Sequence, residues 1–115
     1  MTIQFYGIPN CDTVKKARTW LEGQGFDYTF HDYKKEGANA ARLGEWADVV
    51  GWEALLNRRG TTFRKLPDAA REGIDRDKAI ALMVAQPSII KRPVVEHGDQ
   101  VLVGFDPAAW AAALD

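Results

Sequence analysis

The spacing of apolar residues predicts a βαβ unit at the start of the chain. Residues 2–6 alternate, with Ile3 and Phe5 on one side of a strand, until Gly7 and Pro9 interrupt the run. Residues 12–24 change to helical spacing, and residues 26–33 return to alternation. Strand, helix and strand within about thirty residues predict two parallel strands joined by a right-handed crossover.

Helices are predicted for the middle of the chain. Residues 34–39 are polar and predict a loop, whereas residues 40–50 carry an apolar stripe with helical spacing. Residues 51–66 predict two short helical turns. A further helix is expected to begin at Asp75, a good capping residue, and to end before Pro87.

The last part of the chain predicts a hairpin and a closing helix. Two β-rich runs, "RPVVEH" and "QVLVGF", are joined at Gly98 and Asp99. Asp106 and Pro107 then form a helix start, because proline suits the first helical position. The whole order is βαβ, helices, then ββα, which is an α/β fold with a mixed sheet.

Composition indicates one soluble globular domain. The chain has 115 residues, of which 46% are hydrophobic and 27% charged, with a net charge of −1. This charge argues against a dedicated nucleic-acid binder. No apolar run is long enough to span a membrane, and the first residues lack the basic start and long apolar run of a signal peptide. We therefore expect a cytoplasmic protein that contacts neither nucleic acid nor membrane.

Cys11 is the single cysteine, which excludes an internal disulfide and a multi-cysteine metal site. It lies where the first strand gives way to the first helix, and the N–H groups of a helix start stabilise a thiolate. Lys15 adds positive potential, and the Thr13 hydroxyl is a candidate donor to the sulfur. A buried structural cysteine is the alternative. The polar neighbours Asn10 and Asp12 favour catalysis, although a carboxylate beside the thiol opposes the thiolate.

The position three residues after Cys11 holds Val14, so the chain lacks a Cys-x-x-Cys dithiol. A single catalytic thiol must pass its mixed disulfide to an outside thiol. In a cytoplasm that thiol is glutathione or a small redox protein.

The segment "KRPVV" is the second chemical signal. Proline at the start of a β-run is unusual because it cannot donate to a sheet. A cis Arg92–Pro93 bond that presents Arg92 to an anion near Cys11 is one interpretation. A trans proline with a solvated arginine is the other, and the sequence alone favours neither.

Other polar residues point to no resident cofactor. His31 and His97 are far apart and have no partner at metal-ligand spacing, so we interpret them as structural or solvated and expect no metal site. No glycine-rich phosphate motif precedes a helix, which argues against a bound nucleotide.

Four separated motifs together resemble one family. "YGIPNCDTVKKARTWL", "FHDYKKEG", "WEALLNRRGTTFRKL" and "IIKRPVVE…VLVGFD" are similar to the arsenate-reductase-like ArsC/Spx family, and in particular to its YffB-like branch. The resemblance implies a single thioredoxin-like domain over residues 1–115, with a helical insertion at about residues 38–87. It also implies that Cys11 is the nucleophile and that Arg92 precedes a cis Pro93.

The chain departs from the arsenate reductases at expected anion-binding arginines. One falls on Asn57, with Arg58 or Arg59 in reach of the same place. Another, after the last strand, has no match, because "VGFDP" holds Gly104, Phe105 and Asp106 there. These departures argue against arsenate as the substrate. The YffB-like branch is similar to glutathione-dependent thiol reductases, so the resemblance implies a monothiol oxidoreductase that uses glutathione as co-substrate, which is the preferred function.

In this function Arg92 binds a carboxylate of glutathione, assisted by Lys15 or Arg59, with Asn10, Thr13 and Pro93 completing the site. The alternatives are an arsenate reductase coupled to glutathione and glutaredoxin, and a Spx-like regulator of RNA polymerase without enzymatic activity.

Overall fold

The computed structural model describes residues 2–114. The chain forms two compact units, each described by itself below. The first unit holds the residues up to Glu36 together with those from Arg92 onwards, and the second unit is Gly37–Lys91. Whether the chain is a single domain with an insertion at 38–87 stays a prediction.

The first unit contains a four-stranded mixed sheet and three helices, which confirms the predicted fold class. In chain order these elements are β1 (Ile3–Gly7), α1 (Asp12–Gly23), β2 (Tyr28–Asp32), α2 (Tyr33–Glu36), β3 (Val94–His97), β4 (Gln100–Val103) and α8 (Pro107–Leu114). The second unit is built from α3 (Ala40–Val50), α4 (Trp52–Leu55), α5 (Thr61–Arg64), α6 (Asp68–Arg71) and α7 (Arg76–Ala85), followed by a 3-10 turn at Pro87–Ile89.

The strand order β2-β1-β3-β4 places β1 in the middle of the sheet. β1 pairs with β2 in parallel, with Phe5 opposite Phe30, as a crossover through α1 requires. β1 pairs with β3 in antiparallel fashion, with Phe5 opposite Val95, and β3 continues into β4 as the predicted hairpin. The carboxyl end of β1 therefore leads directly into the turn that carries Cys11.

Phe5 is the centre of the core in this unit. Its ring is fully buried and lies 5.5 Å from the ring of Tyr28, 5.7 Å from Phe30 and 6.3 Å from Trp110. Aromatic rings at these distances gain about 0.5–1.5 kcal/mol per pair beyond the burial of their area. The core thus joins β1, β2 and α8 on one face of the sheet.

Helix α1 forms because its apolar residues recur at helical spacing. Val14, Ala17 and Leu21 are all fully buried, as the sequence predicted. The helix ends at two glycines: Gly25 has a φ of +79°, and its N–H donates to the Glu22 carbonyl at 3.1 Å. The buried stripe fixes the rotation of α1 about its axis, and this decides where its first turn points.

The second unit matches most of its predicted elements. Asp75 caps α7 by accepting a hydrogen bond from the Lys78 N–H at 2.9 Å, and Asn39 caps α3 by accepting one from the Arg42 N–H at 3.1 Å. Outside the named strands, Leu56 and Ile90 form an antiparallel bridge. The bridge ties the segment after α4 to the segment that leads out of this unit.

Two predicted elements have different bounds in the structure, and one short helix was not predicted. The stretch 34–39 begins with the helical turn α2 rather than with a loop, because Asp32 accepts a hydrogen bond from the Lys34 N–H at 2.8 Å and starts the turn. β2 begins only at Tyr28, since the Phe26 N–H is engaged with the end of α1, at the Leu21 carbonyl. Helix α6 is an additional exposed turn. Among the described residues no helix is long and apolar enough to cross a membrane.

Candidate active site

Cys11 lies at the junction of β1 and α1 and is partly exposed. Its backbone is extended, with φ −97° and ψ 126°, and it is the residue that precedes the first helical turn. Its N–H donates to the Ile8 carbonyl at 3.3 Å, and its carbonyl accepts from the Lys15 N–H at 3.0 Å. Both backbone groups are therefore used to hold the turn, and the sulfur faces the open end of α1.

The pKa of the Cys11 thiol lies below its usual value. Burial raises this pKa, but the Val14 N–H, the Arg92 side chain and the Thr13 N–H contact the sulfur, and together with the positive charge of Arg92 they outweigh the burial. The Cys11 side chain does not form a capping hydrogen bond to the first turn of α1. A thiol sulfur is a weak acceptor, whereas the charged thiolate draws the same donors more strongly. The site consequently favours the reactive form of sulfur.

Arg92 and Pro93 come from the start of the hairpin. The bond between them is cis, and Pro93 is buried while the Arg92 side chain is partly exposed. The Pro93 carbonyl accepts a hydrogen bond from the Gly104 N–H at 2.8 Å, which ties this turn to the end of β4. The pairing of β3 with β1 thus delivers a guanidinium to the thiol from a distant part of the sequence.

Gly7, the last residue of β1, permits a close approach of α1. A Cβ built at Gly7 lies 2.9 Å from Val14 Cγ2, closer than real Cβ atoms come to their neighbours. Val14 is fully buried and supplies one of the N–H groups at the sulfur. From the sequence, Gly7 was interpreted only as a strand breaker. Its packing role could not be predicted, because that role depends on a contact between β1 and α1.

The remaining predicted site residues fall into two groups. Asn10, Thr13 and Lys15 are exposed and flank Cys11 in the chain; Thr13 meets the sulfur through its backbone N–H, where the sequence suggested its hydroxyl. The cation that acts on the sulfur among the described side chains is Arg92 rather than Lys15. Arg59 belongs to the second unit, so its part in the site stays a prediction.

The second unit has a small basic pocket of its own, of about 280 Å³. Arg59 lies in it beside Asn57, whose side-chain oxygen accepts a hydrogen bond from the Arg59 N–H at 3.1 Å. Arg58 also lines this pocket, and its guanidinium carbon is 5.5 Å from the centre of the Trp52 ring. Asn57 itself therefore serves the local turn and contributes no positive charge.

His31 has a structural role in the first unit. Its ring stacks on the Tyr6 ring with centroids 4.5 Å apart, and its two nitrogens contact Gln4 at 2.6 Å and Glu36 at 3.0 Å. These contacts join β1, β2 and α2. No group of three or more metal-binding side chains occurs among residues 2–114.

A sheet and helices of this kind, with a thiol of lowered pKa at the strand-to-helix turn, define the thioredoxin-like class of thiol reductases. The chain belongs to the ArsC family, whose model matches residues 6–113.

Relatives cover nearly the whole chain. The solved structure of the YffB protein is 55% identical, with a TM-score of 0.97 over 99% of this chain and 100% of its own. An arsenate reductase (ArsC) related protein from Brucella melitensis is 56% identical, with a TM-score of 0.78 over 99% and 95% of the two chains. An uncharacterised protein of Haemophilus influenzae is 36% identical over 96% of this chain and 97% of its own. The suggested resemblance to the YffB-like branch is thereby confirmed.

A more distant relative bears on the regulatory alternative. The global transcriptional regulator Spx of Listeria innocua is 23% identical over 90% of this chain and 80% of its own. The family therefore includes both arsenate reductase-like proteins and regulators.

Proposed function

We propose that the chain is a monothiol oxidoreductase, a glutathione-dependent thiol/disulfide reductase with Cys11 as its nucleophile. The observation that supports it is the set of donors around the sulfur, which lowers the pKa of the Cys11 thiol. Thiolate is the form that attacks disulfides, so a lowered pKa raises the reactive fraction near neutral pH.

The reaction consists of two thiol–disulfide exchanges. The Cys11 thiolate attacks one sulfur of a disulfide, forms a mixed disulfide and releases the other sulfur as a thiolate. A glutathione thiolate then attacks the substrate sulfur of the mixed disulfide, and Cys11 leaves as a thiolate. When the substrate is a glutathione mixed disulfide and Cys11 attacks the glutathione sulfur, the second exchange produces oxidised glutathione. The two electrons that reduce the substrate come from glutathione, and the Cys11 thiolate is restored.

Arg92 has two roles in this proposal. Its charge stabilises the thiolate at rest, and its planar guanidinium binds a carboxylate of glutathione in the mixed disulfide. Lys15, one helical turn from Cys11, assists with a second positive charge. Asn10, Thr13 and the buried Pro93 form the walls of the site. Arg59 is a further candidate for the second carboxylate of glutathione.

Arsenate is a less favoured substrate because a doubly charged oxyanion needs several cations close to the thiolate. Position 57 holds asparagine, and the segment Gly104, Phe105 and Asp106 has no match for the arginine that the resemblance expects after the last strand. The regulatory alternative lacks a dithiol switch at Cys11, since Val14 occupies the second position.

The direct test is turnover of hydroxyethyl disulfide with glutathione, coupled to glutathione reductase. Cys11→Ser is expected to abolish turnover while the thermal unfolding temperature stays close to that of the unchanged protein. Full activity in Cys11→Ser would overturn the proposal. Repeating the assay with arsenate as the oxidant distinguishes the first alternative, for which we expect a rate no higher than the blank.

The dependence on glutathione is tested separately. We expect the rate to saturate with glutathione, and Arg92→Ala to raise the KM for glutathione. 2-Mercaptoethanol, which has no carboxylate, is expected to give a rate that rises linearly with its concentration, without saturation, in both the unchanged protein and Arg92→Ala. Equal behaviour of the two thiols would contradict glutathione recognition but leave the nucleophile in place.

A further inference from the structure

A groove of about 510 Å³ runs along α1 in the first unit. Lys15, Lys16, Thr19 and Trp20 line it from α1, and the opposite wall comes from Phe105 and Pro107, between β4 and α8. The exposed part of the lining is mostly apolar, and Lys15 and Lys16 are the charged residues of the lining and form its cationic rim. Of these lining residues, the function proposed above uses Lys15 alone.

Cys11 precedes the helix that lines the groove, although it is not itself a lining residue. Lys15 and Thr19 are four residues apart and lie on one face of α1, and Cys11 is four positions before Lys15 in the chain. Cys11 also packs, with Trp20 and Phe105, against the core cluster of the unit. With a rise of about 1.5 Å per residue, Lys15 is about 6 Å and Thr19 about 12 Å along the helix axis from Cys11.

Its aromatic wall is rigid. The ring of Trp20 is 6.2 Å from that of Phe105 and 6.1 Å from that of Trp110, and Phe105 and Trp110 are 5.0 Å apart in an edge arrangement. The Trp110 indole N–H donates to the Gly104 carbonyl at 3.1 Å and holds the buried ring against which Trp20 and Phe105 pack. Half-buried aromatic rings held in place in this way lose little entropy when a partner covers them.

The rim selects the charge of the partner. Lys15 and Lys16 are exposed, and among residues 2–114 neither forms an ion pair with a carboxylate within 4.0 Å. Two lysines side by side attract negative charge and repel a basic segment. An apolar wall with a cationic rim is therefore complementary to an acidic peptide that carries an aromatic or large apolar residue.

We infer that this groove binds the polypeptide around the substrate cysteine, and that the substrates are acidic protein segments with an apolar anchor. The inference rests on the proposed function, because the segment must present its disulfide to Cys11. An extended peptide advances about 3.3 Å per residue. The acidic residue is thus placed about two positions, and the apolar anchor about four positions, from the reacting cysteine.

The test uses synthetic peptides whose single cysteine is joined to glutathione as a mixed disulfide. One peptide carries Glu two positions and Phe four positions after the cysteine; a second has Lys in place of Glu, and a third has Ala in place of Phe. The measurement is kcat/KM for release of the peptide thiol. The acidic aromatic peptide is expected to react several-fold faster than either of the others, with the charge preference shrinking at high salt.

Two charge reversals of equal size provide the matched control. Lys16→Glu is expected to lower kcat/KM for the acidic peptide by about fivefold or more and to raise it for the basic peptide, since exposed ion pairs each contribute about 1.4- to 5-fold and the reversal adds repulsion. Lys35→Glu changes the net charge equally on α2, outside the groove, and is expected to leave the preference intact.

Hydroxyethyl disulfide separates this inference from the proposed function. Normal turnover of this small disulfide, together with equal rates for all three peptides, would overturn the inference that the groove binds the substrate peptide. The proposal that Cys11 is the nucleophile would still hold. An unchanged peptide preference in Lys16→Glu overturns the inference about the groove as well. Absence of turnover with every substrate refutes the proposed function itself.

Discussion

Gly7→Ala tests whether the packing of β1 against α1 sets the reactivity of the thiol. Gly7 is not among the glycines with positive φ, so its backbone conformation is open to alanine and the objection is steric. The new Cβ would lie 2.9 Å from Val14 Cγ2, against about 3.5 Å or more for a favourable contact. The alanine Cβ and the Val14 side chain must therefore move apart by roughly half an ångström.

Val14 is poorly able to absorb this movement by itself. It is fully buried, and a β-branched side chain in a helix has essentially one rotamer. The first turn of α1 is therefore expected to shift as a unit, and the Val14 N–H moves away from the sulfur. Overpacking of this kind costs about 1–3 kcal/mol. For a domain of about 100 residues that corresponds to a fall in Tm of at least about 4 °C.

The expected chemical signature is a higher pKa of the Cys11 thiol, because one of the donors that lowers this pKa is displaced. The assay is the rate of iodoacetamide alkylation as a function of pH, alongside thermal unfolding. The profile of Gly7→Ala is expected to move to higher pH, and the rate at neutral pH to fall.

Gly23→Ala is the matched control. Gly23 is the last residue of α1, and a Cβ added there meets nothing within 4 Å. Alanine is the better helix former by roughly 0.5–1 kcal/mol, so Tm is expected to rise slightly and the pH profile to stay unchanged. An unchanged Tm in Gly7→Ala refutes the steric reasoning. A lower Tm with an unchanged pH profile refutes the link from Gly7 to the thiol.

Three further predictions concern charge and capping. Arg92→Ala is expected to raise the pKa of the Cys11 thiol and to slow its alkylation at neutral pH. Arg92→Lys is expected to recover part of the rate, because lysine restores the charge but not the planar donor. Equal pH profiles for the unchanged protein and both variants would contradict this prediction. Because folding lowers the pKa of Cys11, the resulting stabilisation is present above the unfolded value of about 8.5 and is lost as pH falls through the folded value. Urea unfolding over this window should therefore show that the stability advantage over Cys11→Ser grows with pH, and a constant difference would exclude the linkage. Asp75→Ala should lose about 1 kcal/mol of stability, because the hydrogen bond from the Lys78 N–H is lost, whereas Asp75→Asn should keep it. Equal unfolding midpoints for the two variants would argue against the cap.

The sequence by itself determined the local elements. The buried stripe of α1 follows from the spacing of Val14, Ala17 and Leu21, and the cap of α7 follows from Asp75, because helix periodicity and capping depend on residues within a few positions. The parallel pairing of β1 and β2 also followed, since a short crossover leaves little choice of topology. The four motifs identified the family before any geometry was known.

The tertiary structure alone decided how the thiol is surrounded. Arg92 reaches Cys11 only because β3 pairs with β1, and Phe105 faces Trp20 only because the end of β4 returns beside α1. The contact between Gly7 and Val14 likewise depends on how closely a strand and a helix pack. Such contacts join distant parts of the chain and depend on distances of a few ångströms, which no local pattern of residue types records. The sequence thus indicated a reactive cysteine, and the fold supplied the neighbours that lower the pKa of its thiol.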